Sequence, residues 1–185
     1  MRSFKTFVDD LREDSGAALQ YAIKAHKGQF RSDGTEYVKH PERVASFVQK
    51  FKRSHNLDAL ISAAYLHDTI EDTDTTYEDL EKMFGALIAS LVKELTSDKD
   101  EISKVGKDNY LANKMAKMSS WALAIKLADR LDNVKDITTA KTPEWRAKYK
   151  AETEMILSRL EKDRELTASH KKIIKAIRNK LLEVK

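Results

Sequence analysis

Three carboxylates and one imidazole fall within six consecutive residues, His67-Asp68-Thr69-Ile70-Glu71-Asp72, at the end of an apolar helical stretch. His67 and Glu71 are spaced i, i+4, as are Asp68 and Asp72, while Asp68 and Glu71 are i, i+3. A helix continuing through this stretch sets all four along one side. Like charges crowded in this way repel unless a proton or cation intervenes, which is costly as architecture and sensible as a metal site. The bland alternative is a helix C-terminus carrying solvated acids. A second such feature is Asp129, with Asn133 at i+4, inside the apolar run Trp121–Leu131. Acids are rarely buried there without a partner. Its neighbour Arg130 points about 100° away on a helix and is poorly placed to serve. His40, just before Pro41, and the stretch Lys24-Ala25-His26-Lys27-Gly28-Gln29-Phe30-Arg31 add an imidazole and several cations. Taken alone, a His beside a Pro is more often structural than a ligand.

The elements that must carry these residues read as helices. Val44, Phe47, Val48 and Phe51 repeat at i, i+3, i+4, i+7 after Pro41, which suits a first helical turn. Leu57, Leu60, Ile61 and Ala64 repeat the stripe and run into His67. Thr76 is placed to cap a helix through Leu80, Met83 and Phe84, stopped by Gly85, and Leu87 to Leu95 form the next. The apolar run through Leu131 belongs at the centre of a bundle. Thr142-Pro143-Glu144 opens a long helix with Trp145, Tyr149, Ile156 and Leu160, and Ile173, Ile174, Ile177 and Leu181 mark the last. The polar stretches 31–40 and 97–109 read as loops. The expectation is an all-α, single compact helical domain over residues 1–185.

Composition narrows the function further. With 5 Gly and 2 Pro in 185 residues, a turn-rich β-sandwich lacks its punctuation, and with no Cys there is no zinc finger, disulfide framework or thiol nucleophile. No apolar stretch approaches the ~18 residues of a membrane span, and the start MRSFKTFVDD meets acid before a signal core develops. A cytoplasmic protein is expected. Lysines and arginines number 34 against 30 acids, a net +4. The excess gathers in the C-terminal helix pattern, which reads as a solvated face. A nucleic-acid binder is not expected, because interleaved aromatics and a binding motif are missing.

Three segments together, AIKAHKGQFRSDGTEYVKHP, AAYLHDTIEDTDTTYEDLEKMFG and IKLADRLDNVKD, resemble the metal-dependent HD-domain hydrolases of the RelA/SpoT-homologue group, small alarmone hydrolase type. The resemblance runs from about Ala18 to Tyr149, with residues 150–185 supplying C-terminal helices. It implies that His40, His67, Asp68 and Asp129 hold one Mn²⁺ per chain, a donor set suited to a five- or six-coordinate ion. It implies Glu71 and Asp72 as the catalytic acids that align and deprotonate water, Asn133 as a contact near the ribose, and Arg31 in the nucleotide pocket. His26 belongs to the motif and is given a packing or supporting role. Lys99, Lys104 and Lys148 are candidates for holding phosphates on charge and position. The chain departs from the pattern at Ser32, where relatives tend to carry Lys, and at Asp132, where they often carry an aromatic or His.

The activity implied is removal of the 3′-pyrophosphate of guanosine 3′,5′-bispyrophosphate (ppGpp or pppGpp), giving GDP or GTP and pyrophosphate by attack of a metal-activated water. The partners implied are that nucleotide and, functionally, an alarmone synthetase. Two alternatives stay open: an HD-type phosphohydrolase acting on an adenosine alarmone or on the 2′-phosphate of NADPH, and a catalytically inactive nucleotide sensor.

Overall fold

The computed structural model describes the backbone at 4–140 and 142–184 and the side chains at 15–137 and 142–184. Among the described residues every named element is an α-helix, and the β structure is one isolated bridge, Phe30 to Glu36. Contacts divide the chain into two compact units, Met1–Thr96 and Ser97–Lys185.

The first unit is organised around α3 (Leu57–Leu66), against which α1 (Phe4–Ala25), α2 (Lys39–Phe51) and α5 (Tyr77–Leu95) pack. Central placement follows from composition: Leu60, Ala63, Ala64 and Leu66 are wholly buried, and the small alanines let neighbouring helices approach closely. Helix α2 buries His40, Pro41, Val44, Ala45 and Val48, a stripe of helical period that carries an imidazole at its start. The backbone does not continue as one helix through the acid cluster. It breaks after Leu66, turns at His67 and Asp68, and resumes as the single turn α4 (Thr69–Asp72).

Helix α5 opens on a capping box, in which the Thr76 side chain accepts from the Asp79 amide while the Asp79 carboxylate accepts from the Thr76 amide. It is interrupted at Gly85, whose φ of 82° and ψ of 163° are open essentially to glycine alone. The expected stop at this residue is therefore a break between two helical segments. Two residues assigned to the apolar stripe, Met83 and Leu87, are exposed.

The second unit contains α6 (Lys99–Val105), α7 (Lys107–Lys117), α8 (Ser120–Ala140), α9 (Pro143–Asp163) and α10 (Ala168–Leu182). Most of the 97–109 segment is thus helical where its polarity suggested a loop. The Asp98 side chain caps α6 by accepting from the amides of Asp100 and Glu101, and Gly106 separates α6 from α7. Helix α8 buries ten of the eleven residues from Ala122 to Asp132, Lys126 being the exception, which fits its apolar sequence. Helix α9 starts as its sequence predicts, with Thr142 accepting from the Trp145 amide and Pro143 in the first turn. Helix α10 packs on α8, and its His170 ring Nε2 lies 2.8 Å from the Ser120 carbonyl.

Candidate metal centre and active site

In the first unit, α2 and the end of α3 bring two buried imidazoles together. The rings of His40 and His67 lie 5.1 Å apart between centroids, and each is 1% exposed. His67 Nδ1 is 2.8 Å from the Ala64 carbonyl, an acceptor, so that nitrogen carries the proton and Nε2 faces forward. His67 Nε2 is 2.9 Å from Asp68 Oδ2, and His40 Nε2 is 3.6 Å from the same oxygen. A neutral His67 with its proton on Nδ1 would set a nitrogen lone pair against a carboxylate lone pair at that distance. The contact therefore calls for positive charge between the two groups. Two imidazole nitrogens converging on a carboxylate oxygen suit a divalent ion of the borderline kind that accepts mixed N and O donors.

The break between α3 and α4 is what aims these groups. It is stabilised by two hydroxyls, Thr69 donating to the Leu66 carbonyl at 2.8 Å and Thr73 donating to the Thr69 carbonyl at 2.6 Å. The Asp72 amide still donates to the Asp68 carbonyl at 2.9 Å, so Asp68 and Asp72 stay on one side despite the turn. Burial pushes the Asp72 carboxyl above the usual aspartate range, and the charges of Asp68 and Glu71 push it in the same direction. A hydrogen bond from Tyr37 works against that rise.

Tyr37 and Gln29 are the residues that sequence reasoning passes over. The Tyr37 hydroxyl lies 2.6 Å from Asp68 Oδ2 and 3.2 Å from Asp72 Oδ2. Gln29 Nε2 donates to the Asp72 carbonyl at 2.8 Å. Both sit inside the motif AIKAHKGQFRSDGTEYVKHP, so the signal available was their place between the motif's histidines. His26 is buried, packs at 4.7 Å and a 32° tilt against the Tyr37 ring, and places Nδ1 2.8 Å from Gln29 Oε1. The Arg31 guanidinium stands 6.0 Å from the centre of the Tyr37 ring. Ser32 is exposed in the turn that follows.

In the second unit, Asp129 is 7% exposed on α8, with Lys126 Nζ at 3.0 Å and Asn133 Nδ2 at 2.6 Å. Lys126, at i−3, is thus a partner of Asp129 on the same helix. Arg130 turns away, as the helical angle requires, to pair with Glu152 at 3.0 Å and to donate to the Thr153 hydroxyl at 2.9 Å. Its guanidinium lies 5.1 Å from the centre of the Tyr149 ring, whose phenol burial pushes up to about 12. Asp132 is fully buried. Lys99 and Lys104 lie at opposite ends of the seven-residue α6, and Lys148 lies on α9, all three exposed.

The HD-domain family profile matches residues 18–165. Guanosine-3′,5′-bis(diphosphate) 3′-pyrophosphohydrolase MESH1 of Danio rerio is 36% identical over 131 residues, covering 70% of this chain and 72% of that one. Its counterpart in Drosophila melanogaster is 38% identical over 129 residues, 69% and 71% of the two chains. The bifunctional (p)ppGpp synthase/hydrolase SpoT of Escherichia coli is 36% identical over 77% of this chain, which spans 20% of that longer protein. Among solved structures, a metazoan ortholog of SpoT described as hydrolyzing ppGpp superposes with a TM-score of 0.75 at 32% identity, covering 90% of this chain and 94% of that one. The chain belongs to the HD-domain family, in the branch of RelA/SpoT homologues that holds the metazoan SpoT proteins.

Proposed function

We propose that this chain is a guanosine-3′,5′-bis(diphosphate) 3′-pyrophosphohydrolase that works as one hydrolase domain in the cytoplasm. The observation that carries the proposal is the buried pair His40 and His67 converging on Asp68, with Glu71 and Asp72 one helical turn further on. A divalent ion is implied by the family and suits this donor set. We assign it as Mn²⁺, one per chain, with His40, His67, Asp68 and Asp129 as its ligands. Bound there, the ion supplies Lewis acidity toward water and toward a phosphoryl oxygen.

The remaining chemistry falls to the chain's own carboxylates. Asp72, whose affinity for protons is raised by burial and by its neighbours' charge, accepts the proton of the attacking water, and Glu71 holds that water in line. The water oxygen bonds to the phosphorus attached at the ribose 3′-oxygen. The bond from that phosphorus to the 3′-oxygen breaks, and the 3′-oxygen takes up a proton as pyrophosphate leaves. Asn133 is assigned to the ribose, Arg31 and Ser32 to the nucleotide pocket, and Lys99, Lys104 and Lys148 to phosphate charge. An alarmone synthetase is the functional counterpart such an activity would have.

The test is incubation with ppGpp and Mn²⁺, resolving GDP and pyrophosphate from GMP, beside NADPH and an adenosine alarmone as competing substrates. GDP and pyrophosphate are expected. Turnover confined to NADPH or the adenosine compound would move the assignment to another nucleotide. His67→Ala should lose both ion and turnover. Glu71→Ala should keep the ion and lose ~10²–10⁴ in kcat, the usual worth of a general acid–base group.

A further inference from the structure

The phenol of Tyr37 stands between two carboxylates with different jobs. Its oxygen lies 2.6 Å from Asp68 Oδ2, assigned above to the metal, and 3.2 Å from Asp72 Oδ2, assigned to the water. The shorter distance is that of a charge-assisted O–H···O⁻ bond, so the single hydroxyl proton is directed mainly at Asp68. The longer contact shares it with Asp72. The position of the phenol is fixed from several sides. The Tyr37 amide donates to the Gln29 carbonyl at 2.9 Å, and the His40 amide donates to the Tyr37 carbonyl at 2.9 Å. The ring packs against buried His26 at 4.7 Å, tilted by 32°, and meets His40 in a T-shaped contact at 5.9 Å. Gln29 closes the frame, its side chain joining the His26 ring to the Asp72 carbonyl, each at 2.8 Å.

We propose that Tyr37 is a positioning residue that sets the plane of the Asp68 carboxylate for the metal and holds Asp72 at a fixed offset from it, with His26 and Gln29 as its support. A carboxylate that ligates a metal can swing about its terminal bond, and a hydrogen bond to one oxygen removes that freedom. A donor hydroxyl also tempers the repulsion between two acids held on the same side of one turn. The inference rests on the reading of this cluster as a metal centre.

Tyr37→Phe removes the hydroxyl and keeps the ring that packs on His26 and His40. Mn²⁺ affinity, read by electron paramagnetic resonance of the free ion without any substrate, should weaken severalfold. With ppGpp, kcat should fall ~10–100-fold, the usual cost of losing a group that orients a metal ligand, while KM stays within about twofold. Circular dichroism should match the wild type. Mn²⁺ affinity and kcat both unchanged would overturn the proposal. A raised KM with unchanged kcat would overturn it too, by making Tyr37 a substrate contact, and so would a variant that fails to fold, by making it part of the frame. A wild type that binds Mn²⁺ but leaves ppGpp intact would fail the proposed substrate alone, and the Mn²⁺ comparison would still decide the role of Tyr37. A wild type that binds no divalent ion would remove the metal reading on which the proposal stands.

Discussion

At position 32, assigned above to the nucleotide pocket, stands a short hydroxyl. Ser32 lies in an exposed turn held by its neighbours: the Thr35 amide and hydroxyl both donate to Asp33 Oδ1, and the Gly34 amide donates to the Arg31 carbonyl. These bonds keep the Asp33 carboxyl below the usual aspartate range and leave the Ser32 side chain out of the turn's construction. Ser32→Lys should therefore fold as the parent does and lower KM for ppGpp by up to ~tenfold with kcat little changed, as a hydrogen bond from a charged rim group would. Steady-state kinetics at two salt concentrations check this, because a rim charge should lose its advantage as ionic strength rises. A higher KM would mean that residue 32 reads a base and that the guanosine assignment is wrong. At this scale His67, Asp68 and the acids after them are legible in the sequence as a crowded charge cluster, whereas His40 beside Pro41 reads as structural by type and is singled out only by the resemblance. Tyr37 is not legible, because a tyrosine at a loop end reads as an apolar contact and only coordinates show where its hydroxyl goes. Lys126 escapes for a related reason: a lysine on an apolar helix is read as reaching for water, and here it turns back to Asp129.

Helix breaks and ends make opposite demands on similar residues. At Gly85 the backbone is in a region closed to side chains, yet an added Cβ would meet nothing within 4 Å, so the cost of Gly85→Ala is conformational. It should destabilise by ~1–3 kcal/mol. Gly16, within α1 and equally free of neighbours, should gain ~0.5–1 kcal/mol on changing to Ala. Urea titrations of the two variants should move the midpoint in opposite directions. At the C-terminal end of α2, Lys52 is 7% exposed, and burial pushes its ammonium below the usual lysine range. A lysine with a depressed folded pKa costs stability in full below that pKa, and the cost fades as pH rises to the unfolded value near 10.5. Lys52→Met should thus raise Tm at pH 7 by about 1–4 °C, with the advantage shrinking above pH 10. Melting curves at the two pH values provide the check. Most helices here announce themselves through apolar period and cap residues. Helix α6 does not, since it buries none of its seven residues and offers no stripe to detect. Its one readable sign is Asp98 ahead of Asp100 and Glu101, an N-cap with acids in the first turn. The break after Leu66 is hidden for a different reason: hydroxyls of Thr69 and Thr73 take over carbonyls there, and threonines carry no periodic signal.

For the molecule as a whole, a metal held only by folded protein should appear as stability. Free Mn²⁺ at a hundred times its Kd should add ~2.7 kcal/mol, or roughly 5–11 °C for a chain of this size. Scanning fluorimetry with Mn²⁺, then with excess chelator, should show the rise and its reversal, and a flat response would deny that the ion is part of the fold. The second unit carries a different kind of dependence. Ile173, Ile174, Ile177 and Leu181 of α10 are buried, α10 packs on α8, and its capping His170 is wholly enclosed against Ser120. The strand of chain that leads into α10 runs through exposed Glu165 and Thr167, the sort of segment a protease samples first. Nicking there would do more than trim an end. It would uncover a greasy strip on α8 of the kind that makes particles stick to one another. A chain ended at Glu165 should therefore leave a sizing column in the void volume and light up a hydrophobic dye, so that the last twenty residues serve the protein's solubility.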